Sequence, residues 1–327
     1  MNRDMEESAE HSGPAYPEPL DAVVLAGTDD NPKRRILGQN KAFLEIAGKA
    51  LVRHVVESLL ASRSVGHIFV VGPKERLQAA LSGISPRVAL VQQKGKMLSN
   101  AWAAFHAAEA QQQNLGNPVD PERPVLALSC DLPLISCEAV DDFVNRCAAV
   151  DRHDGDGYAM LCGVAEEASL KQYYADEDNP GIIRPYVNFA EYRVRLANIY
   201  VGRPRKLANN KFLGVGFEHR KTAKLKNVLL LAWDFLSQSG GWTAAWLSLR
   251  MQATLMAERR GSRFYEKLRK GNSAARTEEV CSRVLGGSVK IVVSPYGGLS
   301  LDADNEEDFN VLNQRFEEWK KVPPAES

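Results

Sequence analysis

Two rhythms alternate along the first half of this chain. Short apolar runs bounded by Gly, Pro or Asp predict strands, and longer stretches with apolar residues at helical spacing predict helices. Residues 22–26 predict the first strand and 51–61 a helix. Residues 67–71, closed by Gly72-Pro73, predict a second strand, 75–81 a short helix and 88–91 a third strand. Ser99 is placed to cap a helix over 99–111, residues 125–129 predict a strand ending at Cys130-Asp131, and Ser136 is placed to cap a helix running to about Ala149. Strand-helix alternation of this kind predicts an α/β fold, a mostly parallel sheet covered on both faces in three layers.

Past residue 155 the rhythm changes. Residues 158–164 and 196–201 predict strands, with an irregular polar stretch between them. Residues 203–226 hold eight Lys or Arg against a single Glu. Two apolar, Trp-bearing helices are predicted over about 223–237 and 242–259, separated by Ser239-Gly240-Gly241, before a late strand over 289–293 and a closing helix over 305–320. The domain organisation read from this is a leader without fixed structure over 1–19, the first part of the α/β domain over 20–202, a basic helical insert over 203–275 and a return to the α/β domain over 276–327. The leader is acidic and carries Pro14, Pro17 and Pro19. Trp233, Trp242 and Trp246 are expected in the core or at an interface. The insert is expected to pack on the main sheet with a solvated basic face; the lesser reading turns it toward an anionic acceptor or an anionic membrane surface.

Composition narrows the function. The 327 residues are 44% hydrophobic and 25% charged, ordinary values for a globular protein. Lys+Arg and Asp+Glu are equal at 41 each, which argues against a nucleic-acid partner. The five cysteines are odd in number and form no C-x-x-C pair, a pattern of reduced thiols, so a cytoplasmic location is expected. No apolar run reaches the roughly 18 residues that span a bilayer.

Three segments carry candidate chemistry. The first strand ends in Leu25-Ala26-Gly27, small residues that let backbone N–H groups approach a phosphate, and Lys41 follows fourteen residues later. The loop between them holds Lys33, Arg34 and Arg35, cations suited to a triphosphate. The strand over 125–129 delivers Asp131 at its C-terminal end, where open α/β sheets place their ligands, and a lone carboxylate there suits Mg²⁺. Asp302 and Asp304 stand one residue apart in Leu301-Asp302-Ala303-Asp304-Asn305, so in an extended segment they share a side, and one could meet Asp131 across a metal. Glu306, Glu307 and Asp308 instead read as an acidic first helical turn.

Together these strings resemble the MobA-like nucleotidyltransferases. The resemblance implies a fold of the glycosyltransferase-A/nucleotidyltransferase type, here with a helical insert. It implies Mg²⁺ as cofactor and transfer of a nucleotidyl group from an NTP to a phosphorylated small-molecule acceptor, with pyrophosphate leaving. It puts Leu25, Ala26, Gly27 and Lys41 on the nucleotide loop, Arg35 at the loop's arginine, Asp131 at the first metal aspartate and Asp304 at the second. It puts Gln92 and Gly95 beside base and ribose, and Arg195 and Asn198 on the acceptor-side strand. The family loop is richer in glycine; here Thr28 and Asp29 stand in its place, and the gap to the lysine is longer. Molybdopterin and a sugar or polyol phosphate are the acceptors the resemblance suggests, and Asp302 and Asp304, where the molybdopterin branch usually carries asparagine, favour the second. Two other readings remain open: a non-catalytic nucleotide-binding scaffold or sensor, and a glycosyltransferase using a nucleotide sugar. Oligomeric state is not legible.

Overall fold

The computed structural model describes residues 16–27, 35–155, 157–209 and 241–325. The predicted helix over 223–237, Trp233 and loop residues 28–34 lie outside the described residues.

Seven strands build the main sheet: β1 Leu20–Leu25, β2 Val65–Gly72, β3 Val88–Gln92, β4 Val125–Ser129, β5 Met160–Glu166, β6 Arg193–Gly202 and β7 Val289–Ser294. Their order is β3-β2-β1-β4-β6-β5-β7, with the two-residue strand Val187–Asn188 pairing on β6. All run parallel except β6, which is antiparallel to both β4 and β5. The expected mostly parallel sheet is therefore present.

Both faces are covered because the strands are apolar on both. In β1, Ala22 and Val24 pack against helices α1 (Leu51–Ala61) and α4 (Cys137–Asp154). Val23, between them, points to the opposite face, against Ala104, Phe105 and Ala108 of α3 (Met97–Asn114). The other half of that face is closed by α6 (Ala274–Leu285), which packs on β5 and β7. The three layers follow from strand alternation alone.

Several boundaries differ from the sequence expectation. Helix α3 starts at Met97 after Lys96, so Ser99 lies inside the first turn and caps nothing. Ser136 does cap α4, accepting from Ala139 N at 3.2 Å, but α4 continues to Asp154 and stops where Gly155 adopts φ +73°. Strand β6 starts three residues earlier than expected because Val194 and Arg195 pair with Glu166 and Ala165. The closing helix α7 (Glu306–Trp319) is capped by Asn305, whose side chain accepts from Asp308 N at 2.8 Å.

Helix α5 (Gly241–Arg259) is the described part of the Trp-bearing pair. Its buried residues Ala244 and Leu247 pack against Val280 of α6. Trp242 and Trp246, expected in the core or an interface, are 69% and 64% exposed. Their positions fall on the helix side opposite Ala244 and Leu247, which the main body cannot reach.

One buried ion pair ties the N-terminal edge to the sheet. Asp151 on α4 receives Arg203 Nη2 at 2.9 Å, Tyr158 N at 2.9 Å and the hydroxyl of Tyr16, in the stretch read as leader, at 2.8 Å. Burial, reinforced by that hydrogen bond, holds the Tyr16 phenol protonated well above its ordinary range. Asp151→Ala strands the buried Arg203 guanidinium, and is expected to cost about 3–5 kcal/mol by urea unfolding. A loss under about 1 kcal/mol would show the pair to be no more than a surface bridge.

Candidate active site

The site lies at the C-terminal ends of β1 and β4, and the backbone frames it. At the end of β1, Ala26 N donates to Val71 O at 2.9 Å, which keeps β1 and β2 paired to the last residue. The Ala26 carbonyl accepts from Asn40 Nδ2 at 2.9 Å. The other arm of the same amide, Asn40 Oδ1, accepts from Ala42 N at 3.0 Å and caps the short 3₁₀ turn Lys41–Phe43. Asn40 thus fixes where Lys41 starts relative to the strand. A hairpin whose turn is Leu37-Gly38, both at positive φ, delivers Asn40, with Arg35 paired opposite it.

From that turn the Lys41 ammonium reaches Asp131 Oδ2 at 3.2 Å and Asp304 Oδ1 at 3.1 Å. The two carboxylates come from positions 173 residues apart and meet because the Asp131 carbonyl accepts from Ala303 N at 3.3 Å. Asp131 is buried, and the Ser129 hydroxyl donates to its Oδ1. Burial acts to lower the Lys41 ammonium, but the charges of Asp131, Asp304 and Asp302 outweigh it and raise the group above its ordinary range.

Arg184 stands behind the aspartates. Its guanidinium donates to Asp302 Oδ1 at 2.5 Å, Asp304 Oδ2 at 3.3 Å, the Asp302 carbonyl at 2.7 Å, and the Asp308 carboxylate. Burial, then the charges of Asp131 and Asp304, push the Asp302 carboxyl up to about 6 against the pull of Arg184 and Lys41.

The wall toward β3 is formed by Asn100, a buried residue in the first turn of α3. Its Oδ1 accepts from Lys94 N at 2.6 Å, and its Nδ2 would lie 2.3 Å from any Cβ at Gly27. Gly27 is glycine because that side-chain amide occupies the space. Gly72, on β2, is held to the same standard by the Ala26 carbonyl, 2.9 Å from where its Cβ would be.

The predicted residues divide accordingly. Lys41, Asp131 and Asp304 converge, with Leu25, Ala26 and Gly27 at their side. Arg195 is buried beneath the aspartate loop and donates to Ser300 O at 2.7 Å; burial, then the Arg184 charge, lowers its guanidinium. Asn198 is half-buried midway along β6. Gly95 takes φ +90° in the turn after β3. Two others make no contact with the converged charges. Arg35 is exposed on the hairpin. The Gln92 amide oxygen accepts from Lys74 N at 3.1 Å, at the start of helix α2 (Lys74–Ala80), and Gln93 lies beside Gly27 in its stead. Asn40, Asn100 and Arg184 were not singled out in the sequence. Asn40 carried a legible signal, an amide directly before a short apolar turn; the other two carried none.

The donor set suits a divalent cation. Among the described residues no three His, Cys, Asp or Glu side chains form a closed metal cage. Mg²⁺ does not need one, since it takes one or two carboxylates and fills its sphere with water and phosphate oxygens. The position between Asp131 and Asp304 is one a cation takes, since the Lys41 ammonium sits there.

A three-layer sheet of this order, with a lysine and two carboxylates at the strand ends beside a small-residue turn, defines a nucleotidyltransferase-type fold. The chain belongs to the MobA-like NTP transferase family, whose domain model matches residues 22–189, just over half of its length. A hypothetical transferase from Thermus thermophilus shares the fold, with a TM-score of 0.54 at 20% identity over 89% of this chain and 99% of its own. The 4-diphosphocytidyl-2C-methyl-D-erythritol synthase of Anaerococcus prevotii aligns with a TM-score of 0.45 at 12% identity, over 92% of this chain and 96% of its own. A CMP:2-keto-3-deoxy-manno-octonic acid synthetase solved with CTP aligns with a TM-score of 0.35 at 14% identity, over 65% and 85%. No curated protein sequence matches the chain.

The Asp302 carboxyl yields a pH test. The unfolded chain releases its proton near pH ~4, whereas the folded protein keeps it to about 6. The folded state therefore holds more protons across that window. The stability this adds is complete below about pH 4 and lost as pH rises through about 6. In metal-free urea unfolding, the stability difference between wild type and Asp302→Asn is expected to fall by of order 1–3 kcal/mol across the window. A difference that stays flat would refute the raised carboxyl.

Proposed function

We propose that this protein transfers a nucleotidyl group from an NTP to a phosphorylated small molecule, releasing pyrophosphate. The observation that carries the reading is the convergence of Asp131 and Asp304 on one cation position beside Gly27. Family membership supports nucleotidyl transfer in general; the acceptor and the metal are our reading.

Asp131 and Asp304 would hold Mg²⁺, which when bound neutralises charge on the phosphate oxygens. An acceptor phosphate oxygen attacks the α-phosphorus in line. That O–P bond forms as the bond to the bridging oxygen of the β-phosphate breaks, and the electron pair leaves on pyrophosphate. No proton transfer and no covalent enzyme intermediate are needed, so positioning and electrostatics suffice. Lys41, freed from its two carboxylates by a competing triphosphate, would supply positive charge to the leaving group. Arg195, buried on Ser300 O, would act toward the acceptor only through the aspartate loop it supports, and Asn198, half-buried further along β6, is kept as an acceptor-side candidate. A sugar or polyol phosphate is favoured over molybdopterin because the late motif carries Asp302 and Asp304.

The test is pyrophosphate release with ATP, CTP, GTP and UTP, each against a panel of sugar and polyol phosphates, with and without Mg²⁺. One nucleotide is expected to turn over with Mg²⁺ alone. Asp131→Asn should cut that rate by at least about 100-fold while the protein stays folded. A near-normal rate in Asp131→Asn would sink the assignment. Nucleotide binding without pyrophosphate release for any acceptor would favour a nucleotide-binding scaffold, and sugar transfer from a nucleotide sugar would favour a glycosyltransferase.

A further inference from the structure

Helix α5 is apolar on two sides. One side is fixed to the body: Ala244 and Leu247 pack on α6, Asn272 Nδ2 donates to Thr254 Oγ1 at 3.0 Å, and Glu258 receives Asn188 Nδ2 at 2.8 Å together with the Arg193 guanidinium. The other side carries Trp242, Trp246, Leu249, Ala253 and Met256, spaced four and three residues apart in alternation, which is one continuous stripe of a helix. All five are exposed, Trp242, Trp246 and Leu249 by 69%, 64% and 65%. The stripe is about 21 Å long at helical rise. A face of this kind marks an interaction site.

Charge decides what kind of partner fits. Residues 241–275 hold seven Lys or Arg against two Glu, in a chain whose total is neutral. Among the described residues, Arg259, Arg260, Arg263 and Lys267 are all exposed at the C-terminal end of the stripe, around Phe264, itself 55% exposed. An apolar stripe with Trp at one end and Phe264 among Lys and Arg at the other matches the boundary between headgroups and acyl chains, where aromatic rings seat in the interface and cations meet anionic headgroups. Nucleic acid would use the cations and leave the Leu and Met stripe wet. A second copy would bring an equal positive charge against this one. No helix among the described residues is long and apolar enough to cross a membrane, so the contact would be peripheral.

We propose that the outer face of α5, with the basic cluster at its C-terminal end, docks on an anionic lipid surface. The inference does not depend on the nucleotide site.

The experiment is vesicle flotation of the full chain at low and physiological salt, on phosphatidylcholine vesicles with and without phosphatidylglycerol. Most of the protein is expected to float with the anionic vesicles and little with the neutral ones, with a blue-shifted tryptophan emission on binding. Trp242→Ala/Trp246→Ala should weaken binding at least tenfold, as should Arg259→Glu/Arg263→Glu. Both pairs are exposed and should leave thermal unfolding unchanged. Flotation insensitive to both double variants would overturn the proposal. So would protein that stays off anionic vesicles, that dimerises in a manner abolished by the Trp double variant, or that binds a DNA or RNA oligonucleotide in preference to vesicles.

Discussion

The site depends on a balance of charge. Four carboxylates, Asp131, Asp302, Asp304 and Asp308, are gathered within reach of two cations, Lys41 and Arg184. Bringing so many like charges together is costly, and the fold accepts that cost only because backbone geometry dictates where each side chain starts. Asn40 sets the lysine, and the Ala303 N–H holds the aspartate loop against the end of β4. Burial, with the charges of Asp131 and Asp304, raises the Asp302 carboxyl even with Arg184 and Lys41 beside it.

The sheet converts this balance into a directed cleft. Strands β1 and β4 point the same way, so Gly27 and Asp131 emerge side by side. Strand β6 runs back between β4 and β5, and places Arg195 beneath the aspartate loop rather than at the phosphate turn. The single antiparallel strand thereby separates the phosphate turn from the residues assigned to the acceptor. Gly27 keeps the floor of the cleft at backbone height beside Asn100 of α3 and Gln93 of the loop after β3.

Much of this was legible in the sequence because it rests on local rules. Apolar runs ending at Gly27, Gly72 and Cys130-Asp131 located three of the strands, and strand direction then required their C-terminal ends to share an edge. Lys41 and Asp304 were found because a charged residue next to an ordered element is conspicuous. What was missed depends on distant partners. Arg184 lies in an irregular stretch, and its role exists only through aspartates more than a hundred residues away. Asn100 looks like any polar residue in a helix until Gly27 and Lys94 are placed against it. Gln92 and Gln93 are neighbours that a strand sends to opposite sides, and which of them faces the cleft is set by the register of β3. The tryptophans of α5 were expected in the core or at an interface and are not in the core: apolar character predicts burial on average, but not which of two apolar helix sides the body will cover.

Because Asp131 and Asp304 lie 173 residues apart, the order of synthesis becomes an order of assembly. Strands β1 to β4 leave the ribosome with Lys41 and Asp131 in place. At about 5–20 residues per second, Asp304 follows the end of α4 by roughly 7–30 s. During that interval Lys41 has only one of its two acidic partners, and the pair is neutral where the finished trio is negative. The segment that carries Asp304 therefore completes the pair of carboxylates around Lys41 only after the strands that hold Lys41 and Asp131 have been made.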